Sequence, residues 1–164
     1  MKYTIYLIGQ ISMHPETYEW RKRVQEFFAD KGKVSIISPT DSPFNANYIN
    51  KALNGNAKEK KQMQSVYKTK GIKILPAKDM NYVYTSNFAI ANLNHYTPEK
   101  PILGTYFELA WYLANPDKTV IAIYDGDPMS ATHTAHPFVQ AAVTAWVKDD
   151  KEACELADYY MDVR

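Results

Sequence analysis

A chain of 164 residues with 19 Lys+Arg against 18 Asp+Glu and 46% hydrophobic residues has the length of one domain and enough apolar material for a core. Its net charge of +1 lacks the basic surplus of a dedicated nucleic-acid binder, no apolar run approaches the roughly 18–20 residues of a membrane span, and the opening MKYTIYLIG has no signal-peptide cleavage site. The one cysteine, Cys154, excludes a disulfide scaffold and a Cys-based zinc site and suits a reducing, cytoplasmic setting.

In chain order, residues 3–8 form a short apolar run ending at Gly9, the pattern of a buried parallel strand. A helix is expected over 15–30, where Trp20, Val24, Phe27 and Phe28 make one apolar stripe, and Gly32 stops it. Residues 33–38 read as strand two, closed by Pro39. From 40 to 70 the chain turns polar, which predicts a loop and then a solvated helix over 57–69, with the charge run 58–61 as its wet face. Residues 72–75 read as a short strand, and Asp79 as the start of a brief helix reaching Ser86. A buried strand over 88–93, a helix over 104–114 ended by Asn115-Pro116, and a strand over 119–124 follow. The stretch 125–137 is irregular, 141–147 is the better candidate for a closing helix, and Cys154 falls in a polar C-terminal helix. Continuous apolar strands alternating with helices predict an α/β fold over 1–164, an open parallel sheet of about five strands flanked by helices, flavodoxin- or Rossmann-like.

Such sheets bind ligands beyond the carboxyl ends of their strands. Strand one delivers Tyr6, Gly9 and Gln10 there, and the strand over 88–93 delivers Asn92. The loop after it leads into Gly104-Thr105-Tyr106-Phe107-Glu108, with a carboxylate near a helix start. Thr105 and Glu108 have the spacing of a capping box, and Asp79 that of an N-cap. The alternative is chemical: two acids at one sheet edge, one ionised and one protonated, supply the nucleophile and acid of glycosyl transfer. His133 and His136 stand at i and i+3 without a matching Cys or carboxylate cluster, which favours surface or interface histidines over a metal site. Cys154 has no paired base and is not expected to be a nucleophile.

With these residues in place, the chain resembles the nucleoside 2-deoxyribosyltransferase family, which includes the 2'-deoxynucleoside 5'-phosphate N-hydrolases. The likeness begins at Ile5-Tyr6-Leu7-Ile8-Gly9 and takes in Trp20-Arg21 and Ser38-Pro39-Thr40. It is strongest from Asp79 through Phe88-Ala-Ile-Ala-Asn92-Leu93 to Gly104-Thr-Tyr-Phe-Glu108-Leu109. The resemblance implies that Glu108 attacks the sugar C1' to form a deoxyribosyl ester, that Tyr6 orients it, and that Asp79 protonates the departing base. It implies that Asn92 and Gly104 frame the pocket; Gly9, Gln10, Thr105 and Tyr106 are further candidates for substrate contact. No cofactor is implied, the partners are deoxynucleosides and free bases, and a homo-oligomer is expected, with His133 or Asn115 candidates to reach a neighbour's pocket.

Two positions depart from the family pattern. Asn87 stands where a second Asp is common, and Ile102 where an Asp or Ser reads the sugar 5' end, with Glu99 or Lys100 as candidates to take its place. The segment Gln10-Ile11-Ser12-Met13 is neither glycine-rich nor basic, which disfavours a 5'-phosphate. The reading is therefore a base-exchanging transferase, with an N-glycoside hydrolase and a non-catalytic nucleotide-binding module as alternatives. The 13 tyrosines gain a meaning here, with Tyr82, Tyr84, Tyr106 and Tyr124 expected to build an aromatic wall for a flat base.

Overall fold

The structure, a computed structural model, describes residues 2–12 and 14–162; Met13, the last residue of the segment singled out above, lies outside them. Five strands, β1 (Tyr3–Gly9), β2 (Val34–Ile37), β3 (Phe88–Asn92), β4 (Thr119–Ile123) and β5 (Ala145–Val147), pair in parallel in the order β2-β1-β3-β4-β5. The direction of winding reverses between β1 and β3, and the crevice for a ligand opens at the carboxyl ends of that pair. Gly9 lies opposite Asn92 there.

Alternation along the strands sorts the core into two layers. Ile5, Leu7, Phe88, Ile90, Ile121 and Ile123 face α1 (Glu16–Phe28) and α7 (Asp150–Asp162). Tyr6, Ile8, Ala89, Ala91, Val120 and Ala122 face the other way, toward α4 (Ile72–Thr85), α5 (Leu103–Leu113) and α6 (Pro137–Ala142). This parity aims Tyr6 at the layer that carries both candidate acids. Strands β3 and β4 are buried at every position, as their unbroken apolar runs predict.

Four expectations are corrected. Residues 72–75 are helical: Ile72 and Ile74 are exposed, and a π-helical turn over Tyr67–Gly71 carries α3 (Ala57–Val66) into α4 ahead of Pro76. Asp79 therefore rides inside α4 and is not its N-cap. The polar stretch expected as loop contains α2 (Pro43–Asn54), capped by Ser42 through the Asn45 N–H. The stretch 141–147 is not a helix; α6 ends at Ala142 and 145–147 adds β5 to the sheet edge. Cys154 is buried on the inner face of α7, where burial pushes its thiol up to about 12.

Candidate active site

Tyr6 is fully buried, and its hydroxyl donates a 2.5 Å hydrogen bond to Glu108 Oε1 across 102 residues of sequence. The capping box does not form: α5 begins at Leu103 without a side-chain cap, so Thr105 and Glu108 lie inside the helix. Glu108 is hemmed in by protein atoms yet keeps an opening to a cleft, and its carboxyl is pushed up to about 8. Burial is the main cause, and the charge of Asp79 adds to it; the Tyr6 hydroxyl, Arg21 and Lys78 pull the other way. Tyr6 itself is held well above its ordinary value, first by burial and then by the charges of Glu108 and Asp79, so it remains a donor.

Asp79, just past the middle of α4, reaches the same cleft. Its carboxyl is raised by burial, against the lowering effect of Lys78. The cleft, about 250 Å³, has Glu108, Thr105 and Gly104 of α5 on one side and Asp79 and Pro39 on another. Gly9, Gln10 and Ile11 close its base, and Lys100, Pro101 and Ile102 its remaining wall. A Cβ on Gly104 would meet nothing within 4 Å, so this glycine leaves room in the cleft. Gly9 is different: a Cβ there would meet the Asn92 carbonyl at 3.0 Å and the Trp20 ring at 3.3 Å.

The frame is polar and mostly hydrogen-bonded, with Arg21 Nε left as a buried donor without a hydrogen-bond partner. Arg21 is buried beneath the end of β1, donating to the Gly9 carbonyl at 2.8 Å, the Gln10 carbonyl at 3.3 Å and the Thr17 carbonyl, with its guanidinium 4.6 Å from the Trp20 ring centre. Burial lowers it to about 10, against Tyr6 and Glu108, so it stays charged at neutral pH. Gln10 spends both ends of its amide on the following loop, donating to the Thr97 and Lys100 carbonyls at 3.1 Å and accepting from the Thr97 N–H at 3.0 Å. Asn92 accepts from the Asn94 N–H at 3.0 Å and donates to the Tyr96 hydroxyl at 3.1 Å. Both residues brace the cleft more than they open onto it, and Asn92 is not among its lining residues.

The structure does not bring every candidate here. Tyr106 turns away from the cleft into a second, largely apolar cavity of about 690 Å³ between α5 and the segment 132–139. Tyr82 lies against Tyr6, ring centres 5.7 Å apart, but Tyr84 is exposed beside Lys118 at the opposite edge of the sheet, so no wall forms from all four rings. Tyr124 packs edge-on against His133, whose ring meets the Leu93 carbonyl at 3.0 Å in the larger cavity's wall. His136 caps α6, and Asn115 bonds the Trp111 carbonyl at the far end of α5. Asn87 exchanges hydrogen bonds with Thr4 at the amino edge of the sheet and does not line the cleft. Ile102 is buried in the cleft wall beside Lys100, and Glu99 does not line it. Among the described residues, no group of three or more His, Cys, Asp or Glu is arranged to hold a metal ion. Lys78 and the buried face of Arg21 are the parts that spacing alone misses, since neither sits at the carboxyl end of a strand.

No protein-family model matches the chain, and no curated protein matches it in sequence. Solved structures do match in shape. One is a conserved protein from Enterococcus faecalis V583, with a TM-score of 0.56 at 13% identity over 94% of this chain and 96% of that one. Another is a 2-deoxyribosyltransferase from the psychrotolerant bacterium Bacillus psychrosaccharolyticus, with a TM-score of 0.51 at 15% identity over 92% of this chain and 89% of that one. The chain shares a fold with a 2-deoxyribosyltransferase. The similarity extends over nearly the whole of both chains.

Proposed function

We propose that this protein is a nucleoside 2-deoxyribosyltransferase-like enzyme that cleaves the N-glycosidic bond of 2'-deoxynucleosides and hands the sugar to another purine or pyrimidine base. The observation that carries the reading is the 2.5 Å Tyr6–Glu108 bond in a cleft that Asp79 also lines. In the first step a Glu108 carboxylate oxygen bonds to C1', the C1'–N bond breaks with its electron pair going to the base, and Asp79 gives that base a proton. In the second, a ring nitrogen of the incoming base bonds to C1', Asp79 takes up its proton, and Glu108 leaves as carboxylate. Bases leave poorly unless protonated, and such acid assistance is worth about 10²–10⁴ in rate. Tyr6, held in its protonated form, aligns one Glu108 oxygen and leaves the other for the sugar. A cytoplasmic setting fits the buried thiol of Cys154.

The test is a product assay on 2'-deoxynucleosides with excess free adenine or cytosine. New deoxynucleosides of the added base are expected. Free base and deoxyribose alone would make the protein a hydrolase, with water in place of the acceptor, and an intact glycosidic bond would reduce it to a binding module.

We also propose that a second copy covers α5. That helix carries one charged residue, Glu108, and is apolar outside the face of Thr105 and Glu108 that lines the cleft, a pattern of helices buried on most sides. In the single chain Leu103, Phe107 and Trp111 nonetheless stand exposed along one face beside Phe138 of α6 and the larger cavity. These four side chains form one exposed apolar patch, the kind of surface that marks a protein–protein contact. Knobs and hollow lie on the same face, as a two-fold contact needs. Light scattering should give the mass of a dimer or larger, and Phe107→Glu with Trp111→Glu should reduce it to that of one chain.

A further inference from the structure

Lys78 immediately precedes Asp79 in α4, and successive residues of a helix do not normally face each other. Here the lysine stem is curled back and held. Its ammonium lies 3.1 Å from Asp79 Oδ1, donates to Ser42 Oγ at 3.2 Å and to the Pro39 carbonyl at 3.4 Å, and sits 5.2 Å from the Tyr82 ring centre. Asp79 Oδ1 is closed to solvent and receives no well-aligned hydrogen bond, so the ammonium acts on that oxygen chiefly through its charge. The exposure that Asp79 retains in the cleft therefore belongs to its other oxygen, Oδ2.

The reaction proposed above moves charge in one direction. When Glu108 forms the ester it loses its negative charge, and when Asp79 protonates the base it acquires one. One negative charge thus passes from α5 to α4, although no electron leaves the site: the O–H bond of Asp79 breaks, an N–H bond forms on the base, and the C1'–N pair stays with that base. The groups facing Asp79 are Glu108 from α5 and Tyr6 from β1, neither of which favours a new charge there, and Lys78, which does. Asp41, the nearest acid of the 39–42 segment, is occupied by the Gln25 amide at 2.6 Å.

We propose that Lys78 is a positioning residue for the acid: it turns the Asp79 carboxyl so that Oδ2 meets the departing base, and it stabilises the charge Asp79 acquires as the proton leaves. The inference rests on the reading of the site as a deoxyribosyl-transfer centre. Its ties to Pro39 and Ser42 also join the acid to the cleft wall that Pro39 forms.

The experiment compares wild type with Lys78→Met, Lys78→Gln and Lys78→Arg, each first checked for an unchanged melting temperature. Exchange of 2'-deoxyadenosine should fall on the order of 10–100-fold in the Met and Gln variants and remain within about fivefold in the Arg variant. Cleavage of 7-methyl-2'-deoxyguanosine, whose base departs without a proton, should change less than about threefold. Independently of turnover, carbon-13 NMR of the Asp79 carboxyl should show its titration midpoint moving upward in the Met and Gln variants, because the neighbouring cation is gone. An unmoved midpoint, equal losses on both substrates, or full activity in Lys78→Gln would overturn the proposal. If the wild type exchanges no base at all, the functional reading falls, while the NMR comparison still decides whether Lys78 governs Asp79.

Discussion

Glu108→Gln is expected to abolish base exchange, by at least about 10⁴-fold, and at the same time to make the protein more stable at alkaline pH. Gln is nearly isosteric and its amide oxygen still accepts the Tyr6 hydroxyl, so the cleft is preserved. An amide does not form the deoxyribosyl ester, so the first step fails. The stability effect follows from the same burial that raises the carboxyl. Glu108 titrates at about 8 in the folded chain against an ordinary 4.5. The folded state therefore binds its proton more tightly than the unfolded state does. The resulting stabilisation is full below pH 4.5 and is lost as pH rises through about 8. Gln has no charge to bury. Wild type and variant should melt together near pH 4, and at pH 9 the variant should melt higher by on the order of 5 °C. Equal melting temperatures at pH 9 would show that the carboxylate is not held at a cost, and normal exchange by the variant would remove Glu108 from the chemistry.

The parts legible in sequence are those that local pattern controls. Unbroken apolar runs located β1, β3 and β4, and the strand–helix alternation located the open sheet. Tyr6 and Glu108 were legible as a pair through resemblance, and the sheet explains why: even-numbered residues of β1 face the layer that α5 packs against. Glu108 as a cap was a fair reading of four residues, overruled by where α5 starts, which depends on how the 94–101 loop is pinned by Gln10. The short run 72–75 misled because two exposed isoleucines, spaced by two, imitate a strand in a segment whose neighbours are helical. Residues 145–147 misled for the converse reason, since three residues are too few to show an alternation, and only the free edge of β4 recruits them as β5. Arg21 and Lys78 were opaque as site components because their roles depend on which carbonyls and carboxylates the fold brings within about 3 Å, and spacing carries no such information.

Asp79→Asn should lower exchange of unmodified bases by about 10²–10⁴-fold while sparing 7-methyl-2'-deoxyguanosine, whose positively charged base needs no acid. The pH profile identifies the reason. Glu108 and Asp79 titrate as a pair, so the productive state is the one with a single proton, placed on Asp79 while Glu108 is ionised. With the native pair, kcat/KM for 2'-deoxyadenosine should be bell-shaped. Its acid limb is set by the second proton, at a value raised from the ordinary 3.8 of Asp79, and its alkaline limb falls near 8 as the last proton leaves. The proton rests mainly on Glu108 in the empty site, because burial raises that carboxyl further while Lys78 holds Asp79 down. Productive turnover thus draws on the minor arrangement of a shared proton, which limits the rate without moving either limb of the bell. For 7-methyl-2'-deoxyguanosine the bell should open into a single rise, since only ionised Glu108 is needed. In Asp79→Asn that rise should lie below pH 8, because the charge of Asp79 contributes to the elevation of Glu108. A bell that persists with the methylated substrate, or a rise that stays in place in Asp79→Asn, would mean that these two carboxyls do not share the proton on which the chemistry depends.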